Sequence, residues 1–230
     1  MTAKRQREPA ALSAVTVWDL PVRLFHWILV GLLSGAWLTA ELGVDAMRYH
    51  KWIGYAVLVL VSFRIVWGFV GSYHARFRHF LRPPSAVWHY ARTWRTGEHA
   101  GDLGHNPLGG WMVMALLALV LVQPVTGLFA SDGFFVEGPL AEHVSPAMST
   151  LATRLHHLNF TLLLLAVATH VAAILAYWLL RGENLIGPML HGRKRVSADE
   201  AAAAPVVRGG IVLAALLLSA LAAGLWLLLG

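Results

Sequence analysis

Apolar residues in this chain do not alternate with polar ones; they gather in long blocks. The blocks run from about Pro21 to Ala40, Tyr49 to Gly71, Leu108 to Ala130, His156 to Leu180 and Gly209 to Leu229. Each is near the ~20 residues that a helix needs to cross the hydrocarbon core of a bilayer. Lipid offers no partner to a bare backbone N–H or C=O, so open strands are excluded and the blocks are predicted to be transmembrane helices. Trp18-Asp19-Leu20-Pro21 reads as a helix start, with Asp19 or Leu20 at the cap and Pro21 in the first turn. Residues 1–17, polar and basic, read as a frayed cytoplasmic tail. Residues 18–195 form the main unit, 196–208 a linker, and 209–230 a C-terminal transmembrane helix. A signal peptide is the competing reading of the first block, but Arg23 and His26 at its head speak against it.

The polar residues between the blocks orient the path. Arg76, Arg78, Arg82, Arg92 and Arg95 follow the second block, and Arg181, Arg193, Lys194, Arg195 and Arg208 follow the fourth. With Lys4, Arg5 and Arg7, they all fall on one side of a five-span path. The opposite loops carry only Arg48, Lys51 and Arg154, against Glu41, Asp45, Asp132, Glu137 and Glu142. The positive-inside rule then predicts a multi-pass membrane protein with its N-terminus in the cytoplasm and its C-terminus outside.

Composition adds exclusions. The chain is 57% hydrophobic and only 13% charged, against about 25% charged in soluble domains. It has no cysteine, which removes disulfides, thiolate iron–sulfur clusters and covalently attached c-type haem. The net charge of +6 is accounted for by topology and calls for no nucleic acid.

Twelve histidines remain to be explained. His74, His79, His89, His99, His105, His143 and His191 lie between blocks and read as solvated surface. His26, His50, His156, His157 and His170 lie in or at the ends of blocks, where an ionisable group is costly and functional by default. His156 and His170 are separated by close to four helical turns, so they share one face, ~21 Å apart along the axis; His157 points elsewhere. Depth pairs His26 with His170 and His50 with His156. Facing imidazoles between helices suit an iron porphyrin with both axial positions filled, a build for electron transfer rather than oxygen activation. Zinc or copper fits less well, because each site offers two histidines and no carboxylate at matching depth. Gly54, one turn after His50, would let a flat ring approach the backbone; close helix packing is its other reading. Arg64 shares the face of His50 and could pair with a haem propionate or snorkel to the interface. Asn159 could donate a hydrogen bond near the outer site. The tryptophans Trp18, Trp27, Trp52, Trp67, Trp111 and Trp178 read as interfacial belts, and Pro124 and Gly127 as a kink or close packing.

Five stretches carry a resemblance: VWDLPVRLFHW (17–27), YHKWIGY (49–55), FRIVWGFVGS (63–72), HNPLGG (105–110) and LHHLNFTLLLLAVATHVAA (155–173). In these the chain resembles the bacterial cytochrome b561 family and the b-type cytochrome subunit of nickel–iron hydrogenases. The resemblance implies an all-α integral membrane fold: a four-helix transmembrane bundle core binding two non-covalent b haems, here followed by a fifth helix outside the family pattern. Its ligands map onto His26, His50, His156 and His170, with His157 a minor alternative. It also implies a quinone as one electron partner.

The expected function is a membrane b-type cytochrome of a respiratory chain. It would pass electrons through two bis-histidine haems between the quinone pool and a redox protein, either a cytochrome c or an oxidoreductase or hydrogenase-type complex. A homodimer is left open. One rival is a stand-alone superoxide:quinone oxidoreductase, which would want a cationic outer funnel where the loops are mixed to acidic. Another is a cofactor-free transporter or assembly protein, which would want buried carboxylates or broken repeats that the sequence lacks.

Overall fold

The computed structural model describes residues 12–94, 103–207 and 210–229. Lys4, Arg5, Arg7, Arg95, His99, Arg208 and Gly209 of the sequence reading lie outside them. In chain order the elements are β1 (Leu12–Thr16), α1 (Leu20–Glu41), α2 (Met47–Val70), α3 (Phe77–Phe80), α4 (Pro84–Thr93), α5 (Pro107–Phe129), α6 (Pro146–Arg181), α7 (Ile186–His191), β2 (Arg193–Ser197), α8 (Ala198–Ala203) and α9 (Ile211–Leu229). Five of these helices, α1, α2, α5, α6 and α9, are long and apolar enough to cross a membrane.

Local chemistry sets the helix starts. Asp19 caps α1 by accepting from Val22 N at 2.7 Å, with Pro21 in the first turn where its missing N–H costs nothing. Asn106 caps α5 in the same way through Gly109 N. Ser145 and Pro146 start α6, which therefore begins well before His156 and runs for 36 residues. At 1.5 Å per residue that is ~54 Å, far more than the ~30 Å of hydrocarbon. Pro124 stands inside α5 and is buried there.

Helix α1 packs along α2, α5 along α6, and α2 also against α5 and α9; α6 has no comparable packing against α1 or α2. The bundle is thus two helix pairs joined through α2 and α5, with α6 facing α1 and α2 across a less tightly packed interior. The best-packed part of the core lies toward the end where α1 begins. There Val17, Trp18, Val22 and Phe25 meet Phe63, Trp67, Phe77 and Phe80. Close approach is built in, because a Cβ on Gly68 would sit 2.1 Å from the Phe77 ring.

Three sequence expectations change. The described end of the tail is not frayed: β1 pairs antiparallel with β2, Leu12 opposite Ser197 through Thr16 opposite Arg193. Val17 N and Trp18 N extend the pairing to the Gly192 carbonyl. The linker is in part α8, held by a capping box in which Ser197 and Glu200 satisfy each other's backbone N–H. Trp18 and Trp67 are not belt residues; they are 8% and 1% exposed, and Trp67 Nε1 donates to Asp19 Oδ2 at 3.0 Å. That bond ties the start of α1 to the end of α2. Trp27, Trp52, Trp111 and Trp178 are exposed, as belt residues would be.

Candidate functional site

The four helix-borne histidines fall into two places. Away from the α1 start, His50 of α2 faces His156 of α6, with ring centroids 6.3 Å apart and ring planes 74° to each other. His50 Nδ1 lies 2.9 Å from the Ala36 carbonyl of α1, and His156 Nδ1 lies 2.9 Å from the Gln123 carbonyl of α5. A carbonyl can only accept, so each Nδ1 carries the proton and each Nε2 keeps its lone pair. This is how metal-binding histidines are usually oriented. Two metal–nitrogen bonds of ~2 Å, with about another ångström from each nitrogen to its ring centre, span a similar separation. The residues therefore fit a metal centre bound through both imidazoles.

Around His156 lies a polar cluster that the sequence reading only touched. Asn159 Nδ2 donates to the Leu119 carbonyl at 2.9 Å and to Gln123 Oε1 at 2.6 Å. Gln123 Nε2 in turn lies 3.1 Å from His156 Nε2, so it competes for the lone pair a metal would take. Asn159 thus acts through Gln123 rather than on the histidine directly. Gln123 was missed, although an amide in an apolar block is itself a signal that a partner is nearby. Gly127 makes room for the ring, since a Cβ there would lie 3.1 Å from His156 Cε1. His157 is exposed and its ring is turned 83° from that of His156, so it does not share the site.

Toward the α1 start, His26 and His170 are both half-buried and close enough to interact electrostatically. His26 Nδ1 is shut off from solvent with no hydrogen-bond partner among the described residues, and its ring packs edge-on against Trp27. Gly54 does not serve helix packing, for a Cβ there would meet nothing within 4 Å. Arg64 does not snorkel: it is 3% exposed, lies over the Phe77 ring at 5.5 Å and leaves Nη1 unpaired.

Two loop histidines read as solvated surface are built into the fold instead. His74 is buried. His105 is half-buried by area, but its Nδ1 is closed off and unpaired. Its ring lies against Trp18 and Phe80, each at 4.6 Å between centroids. Burial, with Arg64, His74 and His170 nearby, pushes its imidazole down to about 3, so it is neutral at ordinary pH. No group of three or more metal-binding side chains is found among the described residues.

A helical membrane bundle with imidazoles facing each other across its interior has the build of a b-type cytochrome. The comparisons bring this down to a family. Residues 17–192 match the model of the prokaryotic cytochrome b561 family, and the chain belongs to that family. Its relatives include proteins described as a probable Ni/Fe-hydrogenase B-type cytochrome subunit. That of Azotobacter chroococcum mcd 1 is 26% identical over 86% of this chain and 95% of its own. That of Azotobacter vinelandii is 26% identical with the same coverage, and that of Rhizobium leguminosarum bv. viciae is 24% identical over 79% and 89%. The protein is a membrane b-type cytochrome of electron transport, with haem b as its cofactor.

Proposed function

We propose that the chain is a two-haem electron conduit, with one b haem held by His50 and His156 and a second by His26 and His170. The observation that carries this is the His50–His156 juxtaposition, with both Nδ1 atoms committed to backbone carbonyls. Both groups, when bound, supply one-electron redox chemistry. The protein's part is to hold the imidazoles, to orient them through Ala36 and Gln123, and to keep the sites inside the bundle. Gly54 leaves open space one turn from His50, and Arg64 offers a buried cation toward the other site.

The electron partners on this reading are a membrane quinone and a redox protein. The names of the relatives favour a nickel–iron hydrogenase as that protein. The basic segments sit at the α1-start end, Arg193, Lys194 and Arg195 in β2 among them, which supports a cytoplasmic placement of that end in a bacterial inner membrane. The His50–His156 site then faces the periplasm.

The deciding experiment is a reduced-minus-oxidised spectrum with a pyridine haemochrome count on purified protein, for wild type, His170→Ala and His50→Ala. Two b haems per chain, with one lost in each variant, is the expected result. A single haem in the wild type, or both retained in either variant, overturns the assignment.

A further inference from the structure

The end of the bundle where α1 begins holds a buried cation whose hydrogen-bonding capacity the described residues do not fill. Arg64 carries its charge on α2 at 3% exposure. The carboxylate that acts on it, Asp19, is already engaged: Oδ1 accepts from Val22 N and Oδ2 from Trp67 Nε1. Asp19 makes no ion pair with Arg64, since the ion pairs among the described residues are His143–Glu142 and Lys194–Glu183. Arg64 Nη1 has no hydrogen-bond partner at all. A desolvated guanidinium in this state is strongly unfavourable unless something anionic completes it.

A second orphan lies in the same neighbourhood. His105 is positioned by the loop before α5 and clamped between Trp18 and Phe80. Its Nδ1 is closed off and unpaired. The Phe77 ring under Arg64 meets Phe80 at 5.8 Å between centroids, and Phe80 meets His105 at 4.6 Å, so the two unpaired groups share one aromatic-lined region, with His170 within electrostatic reach of His105. Each orphan can donate, and one is permanently cationic. Their surroundings are aromatic: Phe77 under Arg64, Trp18 and Phe80 around His105. Such a set wants a carboxylate rather than a neutral carbonyl, which would leave the guanidinium uncompensated.

We propose that Arg64 and His105 form the receptor for the carboxylate edge of the haem held by His26 and His170. This rests on the two-haem reading above and adds a binding residue, His105, along with the direction in which the ring's acidic edge points. The Arg64 guanidinium donates to one carboxylate and offsets its charge, and the neutral His105 donates through its ring nitrogen. Among the described residues, the side chains hydrogen-bonded around the outer pair, Gln123, Asn159, Thr39 and Thr126, are neutral.

The test compares the full-length chain produced in haem-requiring cells fed either haem b or its dimethyl ester, which lacks both acids. Wild type, Arg64→Met, Arg64→Lys and His105→Leu are scored for occupancy of each site by optical and EPR signature. In the wild type, the inner site is expected to prefer the free acid about ten-fold or more, the scale of one charge-assisted hydrogen bond, while the outer site shows no preference. Arg64→Met and His105→Leu remove most of that preference, and Arg64→Lys keeps part of it. Should Arg64→Met not accumulate, His105→Leu carries the same comparison. Equal loading of acid and ester in the wild-type inner site overturns the proposal. So does a preference unchanged in both Arg64→Met and His105→Leu. Normal haem binding in those variants with loss of the spectral response to a quinone analogue also overturns it and assigns the pocket to quinone. His26→Ala and His170→Ala serve as controls: if they keep the inner haem, the two-haem reading has failed rather than the receptor.

Discussion

At the scale of single residues, the His50–His156 pair depends on one missing methyl. A Cβ on Gly127 would come within 3.1 Å of His156 Cε1 and 3.3 Å of its Nδ1, and the ring cannot drift freely because Nδ1 is held by the Gln123 carbonyl. On the two-haem reading, Gly127→Ala is therefore expected to rotate His156 and weaken that bond, which makes the imidazole a less basic ligand, changing the EPR g values and raising the midpoint potential or lowering the occupancy of one haem while the other stays as in wild type. A redox titration of the variant checks this; two unaltered potentials would mean the ring has slack. The sequence made His156 and His170 visible because helical spacing alone puts them on one face, and charge in an apolar block stands out. It could not show His105 or His74. Their burial comes from Trp18, Phe80 and Tyr73 folding over a loop, and a loop has no periodicity from which burial can be read. Arg64 was legible as a candidate, but only packing could decide between burial and snorkelling.

At the scale of elements, the loop between α5 and α6 is ordered by one carboxylate. Asp132 Oδ1 accepts from the backbone N–H of Phe134, Phe135 and Val136, each at 2.9 Å. These bonds, that to Val136 foremost and then those to Phe134 and Phe135, hold the acid below its ordinary range. A depressed carboxylate stabilises the folded loop fully above the unfolded value, near 4, and that contribution is lost as pH falls through the lower folded value. Hydrogen exchange of the 134–136 amides should accordingly be pH-insensitive in protection from neutrality down to about 5 and lose protection in stronger acid, with Asp132→Asn abolishing the acid step. The turn presents Phe134 and Phe135 almost fully to the outside, at 86% and 80% exposure. The transmembrane helices themselves were legible from the apolar blocks to within a turn, apart from the start of α6. There Ser145-Pro146 gives a cap signal, but the first turns are too polar to join the block. The strand pair was not legible, because β1 and β2 are short and far apart in sequence, and β2 alone resembles a basic loop.

At the scale of the whole molecule, α9 stands apart from the chemistry. It packs on α2 and α1 through positions such as Ala214, and it carries none of the histidines. Truncation after Ala203 is expected to leave the haem count and both potentials unchanged while lowering the temperature at which haem is released. A loss of either haem would show that α9 sets the spacing of α1 and α2. The family match ends at residue 192, before β2 and α9, which agrees with a core complete without them.

The order in which the ribosome releases the chain has its own consequence. His26 and His50 lie in the first two membrane helices, but their counterparts are both on α6, and β1 waits for β2 at residues 193–197. At 5–20 residues per second, the interval between synthesis of His26 and of His170 is roughly 7–30 s. From the completion of α2 until α6 is made, the first hairpin carries half of each proposed ligand set and an unpaired N-terminal strand. On the two-haem reading neither site can close until α6 is made. Cofactor insertion on that reading waits for the fourth membrane helix, and the pairing of β1 with β2 follows, after both ligand pairs are in place.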